Sequence, residues 1–219
     1  QPVFARMPDW NPAEIIGARP NYLAYSLYKK IITNRIWATQ RYENGFIDMR
    51  GYPLMSMICG QAFICVNYSI LSFIPSSLKT YLKQKISEIA LNRYINNRSF
   101  HDKLEFQIIP TCYDLNKNKW KDIYIFQGGL TEDEFDTWWQ ALRSTTIWQF
   151  ENINNHISEA KLFHSKFSII KTLSASNFAK ITRTLALLEE HGTPSFAHLA
   201  RCGFIAAALL KSGIPNSLL

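Results

Sequence analysis

The sequence predicts an α+β fold, predominantly helical, with a small antiparallel β-sheet. Three observations carry this expectation. Apolar residues recur at three- and four-residue spacing in several long segments, residues 54–70 collect strand formers around a turn, and residues 103–109 alternate apolar with polar side chains. The chain has 219 residues, 47% hydrophobic and 19% charged, which supplies a core and argues against a disordered chain. No repeat or linker divides it. The expected organisation is a single domain, or a middle piece of a larger enzyme, with an extended lead-in over residues 1–20. A helix and sheet part over 21–126 and a helical part over 131–211 complete it.

Each element has its own local cause. Met7-Pro8-Asp9-Trp10-Asn11-Pro12 brackets polar and aromatic residues with prolines and reads as an extended, turn-rich entry. Pro12 suits the first turn of a short helix capped by Asn11 and stopped by Gly17. Leu23, Leu27, Ile31, Ile36 and Trp37 then predict a helix over residues 22–42, with Lys29, Lys30, Arg35 and Arg41 on its solvated face. Within residues 54–70, Phe63, Ile64, Val66 and Tyr68 favour strand and Gly60-Gln61 turns the chain, which gives a hairpin. Ser76 and Ser77 precede an amphipathic helix carrying Leu78, Leu82, Ile86 and Ile89. Leu104, Phe106 and Ile108 against Glu105 and Gln107 predict a third strand that ends at Pro110.

The asparagine- and lysine-rich run 114–121 reads as a loop. Thr131-Glu132-Asp133-Glu134 is a capping box, and it opens a long helix bearing Trp138 and Trp139, one for the core and one for an interface. The polar residues 152–155 kink or divide that helix. Ser174 or Ser176 caps another, which His191-Gly192 ends, and Thr193-Pro194 starts the last. Ser212-Gly213-Ile214-Pro215 stops it.

The charge balance, 24 Lys and Arg against 17 Asp and Glu, leaves +7 spread over several faces. No recognition helix, RGG tract or ribonucleoprotein motif gathers it, which argues against nucleic acid as the partner. Phosphate-loop, dinucleotide, zinc-protease, nucleophile-elbow and EF-hand motifs are missing from the sequence. The five histidines have no metal-ligand spacing, so no metal is expected. Cys59, Cys65, Cys112 and Cys202 form no CxxC pair. A Cys59–Cys65 bridge across the hairpin is geometrically open, but reduced thiols in a cytoplasmic protein are the expectation. The longest apolar stretches fall short of a membrane span, and Gln1 opens the chain without a signal peptide, as in an internal piece of a longer polypeptide.

Met7-Pro8-Asp9-Trp10-Asn11-Pro12-Ala13-Glu14-Ile15-Ile16-Gly17, with Arg19-Pro20 and Leu23-Ala24-Tyr25-Ser26-Leu27-Tyr28, resembles a region of the phosphoenolpyruvate synthase and pyruvate phosphate dikinase-like proteins. These are multidomain bacterial phosphotransferases. His101-Asp102-Lys103-Leu104-Glu105-Phe106 and Thr193-Pro194-Ser195-Phe196-Ala197-His198-Leu199-Ala200-Arg201 are similar to later blocks of the same region. The resemblance implies a site-completing or non-catalytic middle region. It sets flanking ATP-grasp-like and phosphohistidine domains as partners, with ATP and Mg belonging to those domains and no cofactor held here. Gly128-Gly129-Leu130-Thr131 begins like the phosphohistidine loop, but Glu132-Asp133 follows and no histidine stands there.

No residue is expected to be catalytic. The residues expected to meet a ligand or a neighbouring domain are Asp9, Trp10, Asn11, His101, Asp102 and Arg201. For Asp9 and Asn11 the alternative role is capping the short helix, and for Trp10 it is packing as an anchor. His101-Asp102 is placed as a helix C-terminal cap, and Arg201 needs a partner because it stands on an apolar, small-residue helix. The alternative function is a basic interaction module for a polyanion or a partner protein.

Overall fold

The computed structural model describes residues 1–7, 9–102 and 104–213, apart from the side chain of Phe106. Pro8 of the lead-in, Lys103 at the start of the predicted third strand and the stop at Ile214-Pro215 lie outside the described residues.

The lead-in forms an edge strand, β1 (Phe4–Ala5), and then helix α1 (Pro12–Ile15). Helix α2 (Tyr22–Tyr28), capped by Asn21, runs into a π-helical turn, Lys29–Thr33, before α3 (Ile36–Glu43). The helix predicted over 22–42 is therefore two α segments joined by a wider turn. Strands β2 (Met55–Ile58) and β3 (Gln61–Cys65) make the hairpin, which is shorter than predicted because α4 (Val66–Leu71) takes over directly after Cys65. The sheet order is β1-β3-β2, antiparallel, with Phe4 opposite Cys65 and Met55 opposite Ile64.

The third strand is therefore Phe4–Ala5 and not residues 103–109. Residues Leu104–Ile108 instead form a π-helical turn. The physical reason lies in the spacing: Leu104 and Ile108 are also four apart, and both are fully buried against α5 (Thr80–Asn96). The predicted loop over 114–121 contains α6 (Lys117–Lys121), which a second π-helical turn, Asp122–Gln127, prolongs.

Helix α7 (Glu132–Glu151) opens with the predicted capping box, in which Thr131 Oγ1 accepts from the Glu134 amide and Glu134 accepts from the Thr131 amide. Asn152 divides it from α8 (Ile153–Thr172), and Ser176 caps α9 (Asn177–Leu187). Trp138 and Trp139 are both in the core, against the expectation that one would face an interface. Their faces diverge, but Tyr124 covers one and Phe135 stacks on the other.

His191-Gly192 does not end a helix. A π-helical turn, Leu188–Gly192, carries α9 straight into α10 (Thr193–Gly213). One window of the resulting 37-residue helix has mean hydropathy 1.2 and is 33% buried, so it passes a length-and-composition test for a membrane span that the shorter predicted segments fail. Within it Arg201 and His198 are buried and ion-paired to residues of the body, which accounts for the window as part of a protein interior.

Two apolar clusters hold the body together. One is built on α4, α5 and α7 around Phe73, Ile86, Tyr94, Tyr124 and Trp138. The other lies under the sheet around Tyr28, Trp37, Leu54 and Ile64. All four cysteines are free thiols; Cys59, in the hairpin turn, is exposed and the other three are buried.

Candidate functional site

The site begins with a strained reversal of the lead-in. Trp10 (φ 58°) and Asn11 (φ 38°) both occupy the left-handed region, which is costly for residues with a side chain. The reversal is held because the Tyr28 hydroxyl donates to the Trp10 carbonyl, while the Trp10 ring packs against the cluster under the sheet. Asn11 makes no side-chain cap to α1; its Nδ2 donates to Glu14 Oε2 at 3.2 Å. The consequence is that Asp9 turns inward and is 5% exposed. It does not cap the helix.

Inside, Asp9 meets Arg41. Arg41 Nη2 donates to Asp9 Oδ1 at 3.4 Å and to Oδ2 at 3.3 Å, and Ser69 Oγ donates to Oδ2 at 3.1 Å. On its other side Arg41 Nη2 lies 3.6 Å from Glu105 Oε1. Glu105 Oε2 accepts from Arg201 Nη1 at 2.9 Å, and Arg201 Nη1 also donates to Thr111 Oγ1 at 3.0 Å. Two arginines and two carboxylates thus alternate in one buried chain of ion pairs. Phe73 lies beside both cations, its ring centre 3.9 Å from the Arg41 guanidinium carbon and 5.0 Å from that of Arg201.

Burial sets the electrostatics of this chain. Desolvation pushes the Asp9 carboxyl above its usual range and outweighs the pull of Arg41. Desolvation, then the like charge of Arg201, lowers Arg41 to about 10, which still leaves it cationic at neutral pH. Deleting either partner alone strands a charge away from water.

Above the ion chain lies a half-open cavity of about 430 Å³. Of the residues expected from the sequence, Asp9, Trp10, Asn11, Asp102 and Arg201 all line it. His101 does not. It is exposed, its ring stacks on Tyr94 at 4.6 Å, and its carbonyl accepts from the Tyr94 hydroxyl at 3.2 Å. Neither His101 nor Asp102 caps a long helix, since α5 ends earlier, at Asn96.

Gln40, Arg41, Glu14 and Glu105 also line the cavity and were not among the expected site residues. Arg41 is 3% exposed, which corrects its placement on a solvated face. The signal was its spacing: Trp37 and Ala38, four and three residues earlier, are fully buried, so Arg41 shares their face. Gln40 is 1% exposed, and both atoms of its amide lack a partner among the described residues. Arg41 Nε, Arg201 Nε and Trp10 Nε1 are likewise unpaired, so the unsatisfied buried polar atoms gather around this one cavity wall.

A second polar cluster joins α8 and α10 to α3. His156 and His198 stack with ring centres 4.0 Å apart, and His198 Nε2 is 3.1 Å from Glu43 Oε2. His191, predicted as a helix-terminal cation, sits within a continuous helix, with Nδ1 2.8 Å from Glu159 Oε2 and Nε2 2.7 Å from Lys166 Nζ. Among the described residues no group of three His, Cys, Asp or Glu is placed to hold a metal ion.

The cavity is equipped to bind. Asp9 and Glu105 are committed to arginines, and Ser69, the hydroxyl beside Asp9, is fully buried and does not line the cavity. No nucleophile faces a free base across it. Nor do the residues fit ATP with Mg: a triphosphate would meet Glu14, Asp102 and Glu105. Comparisons with protein-family models, with curated proteins and with solved structures find no match to this chain.

Proposed function

We propose that this chain is the site-completing, non-catalytic region of a phosphotransferase of the phosphoenolpyruvate synthase type, holding a small molecule while other domains supply nucleotide and phosphate chemistry. One observation carries the reading. The segments that bear the resemblance, around Asp9, Asp102, Glu105 and Arg201, are far apart in sequence, yet they line a single cavity floored by one chain of ion pairs. A scaffold with no ligand gains nothing from lining a cavity with unpaired buried polar atoms, each costing about 1–3 kcal/mol.

Two measurements test it. Incubated with ATP, Mg and pyruvate, the chain alone gives no phosphoenolpyruvate and no ATP turnover; turnover abolished by His101→Ala or Arg201→Met would overturn the assignment. The reading also requires ATP-grasp and phosphohistidine domains encoded with these residues, and a reading frame lacking both sinks it.

A further inference from the structure

We infer that the cavity over the Asp9, Arg41, Glu105 and Arg201 chain binds an uncharged, hydroxyl-rich ring, a single pyranose unit of a saccharide. The inference rests on the preceding reading only in taking this cavity as the binding site. It needs nothing of phosphoryl transfer.

Charge excludes the obvious alternative. Two buried arginines at a cavity floor suggest an anion site, but each is already answered by a carboxylate, with Asp9 on Arg41 and Glu105 bridging Arg41 to Arg201. The outer wall then adds Glu14 and Asp102, so the lining counts four carboxylates against two guanidiniums. A phosphate or carboxylate entering here meets net negative charge in a partly desolvated space. A free cation is drawn to the rim but meets two guanidiniums at the floor.

What the wall offers instead is neutral and paired. The Gln40 amide has one unmet acceptor and one unmet donor group at the same place, and the Nε groups of both arginines are unmet donors. A hydroxyl both donates and accepts, so neighbouring hydroxyls on a ring satisfy an amide in both directions. Leaving such groups unpaired is what lets a polar site reject a ligand that lacks the matching hydroxyls.

The apolar part fits the same ligand. Trp10, Phe196 and Phe204 line the cavity, and the two phenylalanines remain 65% and 42% exposed, so aromatic faces are open at its edge. A pyranose pairs an apolar C–H face with a hydroxyl edge and can use both walls at once. A volume of about 430 Å³ takes one such ring with room for its linkage to a neighbour.

The test is a chemical-shift titration of the full chain, following the Trp10 indole N–H, assigned through Trp10→Phe. The probes are glucose, galactose, mannose and N-acetylglucosamine, with phosphoenolpyruvate, pyruvate and ethylammonium as charged comparators. At least one saccharide is expected to shift the resonance in the millimolar range. Gln40→Leu, which removes an unsatisfied buried amide and so should stay folded, is expected to weaken that saccharide about tenfold. Phe196→Ala, at an exposed position, is expected to weaken it with no loss of thermal stability. A shift with phosphoenolpyruvate or pyruvate alone overturns the saccharide inference and leaves the phosphotransferase reading standing. No shift with any saccharide also overturns it, and saccharide binding unchanged in both variants moves the site elsewhere and overturns it too. ATP turnover by the chain alone, with saccharide binding intact, would instead break only the earlier reading.

Discussion

Helices α7 and α8 are consecutive, twenty residues each, and separated by a single asparagine, yet they are held in opposite ways. Helix α7 buries Phe135, Trp138, Trp139, Leu142, Thr146 and Gln149, whereas α8 buries no residue and α9 only Leu187. The body is thus organised around whole aromatic side chains and a buried ion chain. The arm formed by α8 and α9 is a helical pair resting on α10 through half-buried contacts and a histidine cluster. Helix formation in isolation is marginal at such lengths, so α8 persists through these few contacts, and its opening free energy lies well below that of the body.

The sharpest way to break this contrast is to attack the ion chain. Arg41→Met leaves Asp9 buried without its cation and is expected to cost about 3–5 kcal/mol. Denaturant titration should show this as a lower midpoint for the whole body. A midpoint unchanged within error would mean that the ion chain is not a foundation of the fold.

Acid should loosen the arm ahead of the body. Burial, reinforced by His198 and opposed by Glu43 and Glu159, lowers His156 from 6.5 to about 4. Between those values the unfolded chain takes up a proton that the folded chain refuses. Stability is therefore lost as pH falls from 6.5 toward 4, and the difference saturates below that. Because the ring is partly exposed, the effect is on the order of 1 kcal/mol after screening. Hydrogen exchange should show α8 amides losing protection at pH 5 while α7 amides hold, and His156→Phe should remove the difference.

Smaller effects sharpen the same contrast. Thr131→Ala removes the capping box and is expected to cost about 1 kcal/mol, read in the thermal midpoint of the body. Ile181→Ser, at a side chain 58% exposed on the arm, should change stability by less than about 0.5 kcal/mol. A larger loss from Ile181→Ser would show that the arm packs more tightly than its burial implies.

How much of this was legible beforehand follows from the range of the forces involved. Capping at Thr131 and Ser176, the hairpin turn at Gly60 and the break at Asn152 are settled within a few residues, and the sequence reading found each of them. The 104–108 turn was misread because alternation and four-residue spacing coincide in Leu104, Phe106 and Ile108, and only burial against α5 separates them. Strand β1 is two residues long and carries no period at all. In the site, Asp9 and Arg201 stood out as charges in apolar company, but their partners lie 32 and 96 residues away, at Arg41 and Glu105. Gln40 has no local signature, since its importance rests on the partner it lacks.

The unbroken helix from Asn177 to Gly213 links two places that otherwise share little. Phe178, 79% exposed, stands near one end, and Arg201 grips Glu105 beneath the cavity farther along, roughly 35 Å away at the usual rise per residue. The wider turn at Leu188–Gly192 is the only joint between them. A load on the tip of the arm is therefore delivered as torque to a guanidinium at the cavity floor, so whatever clasps the tip also has a hand on the cavity.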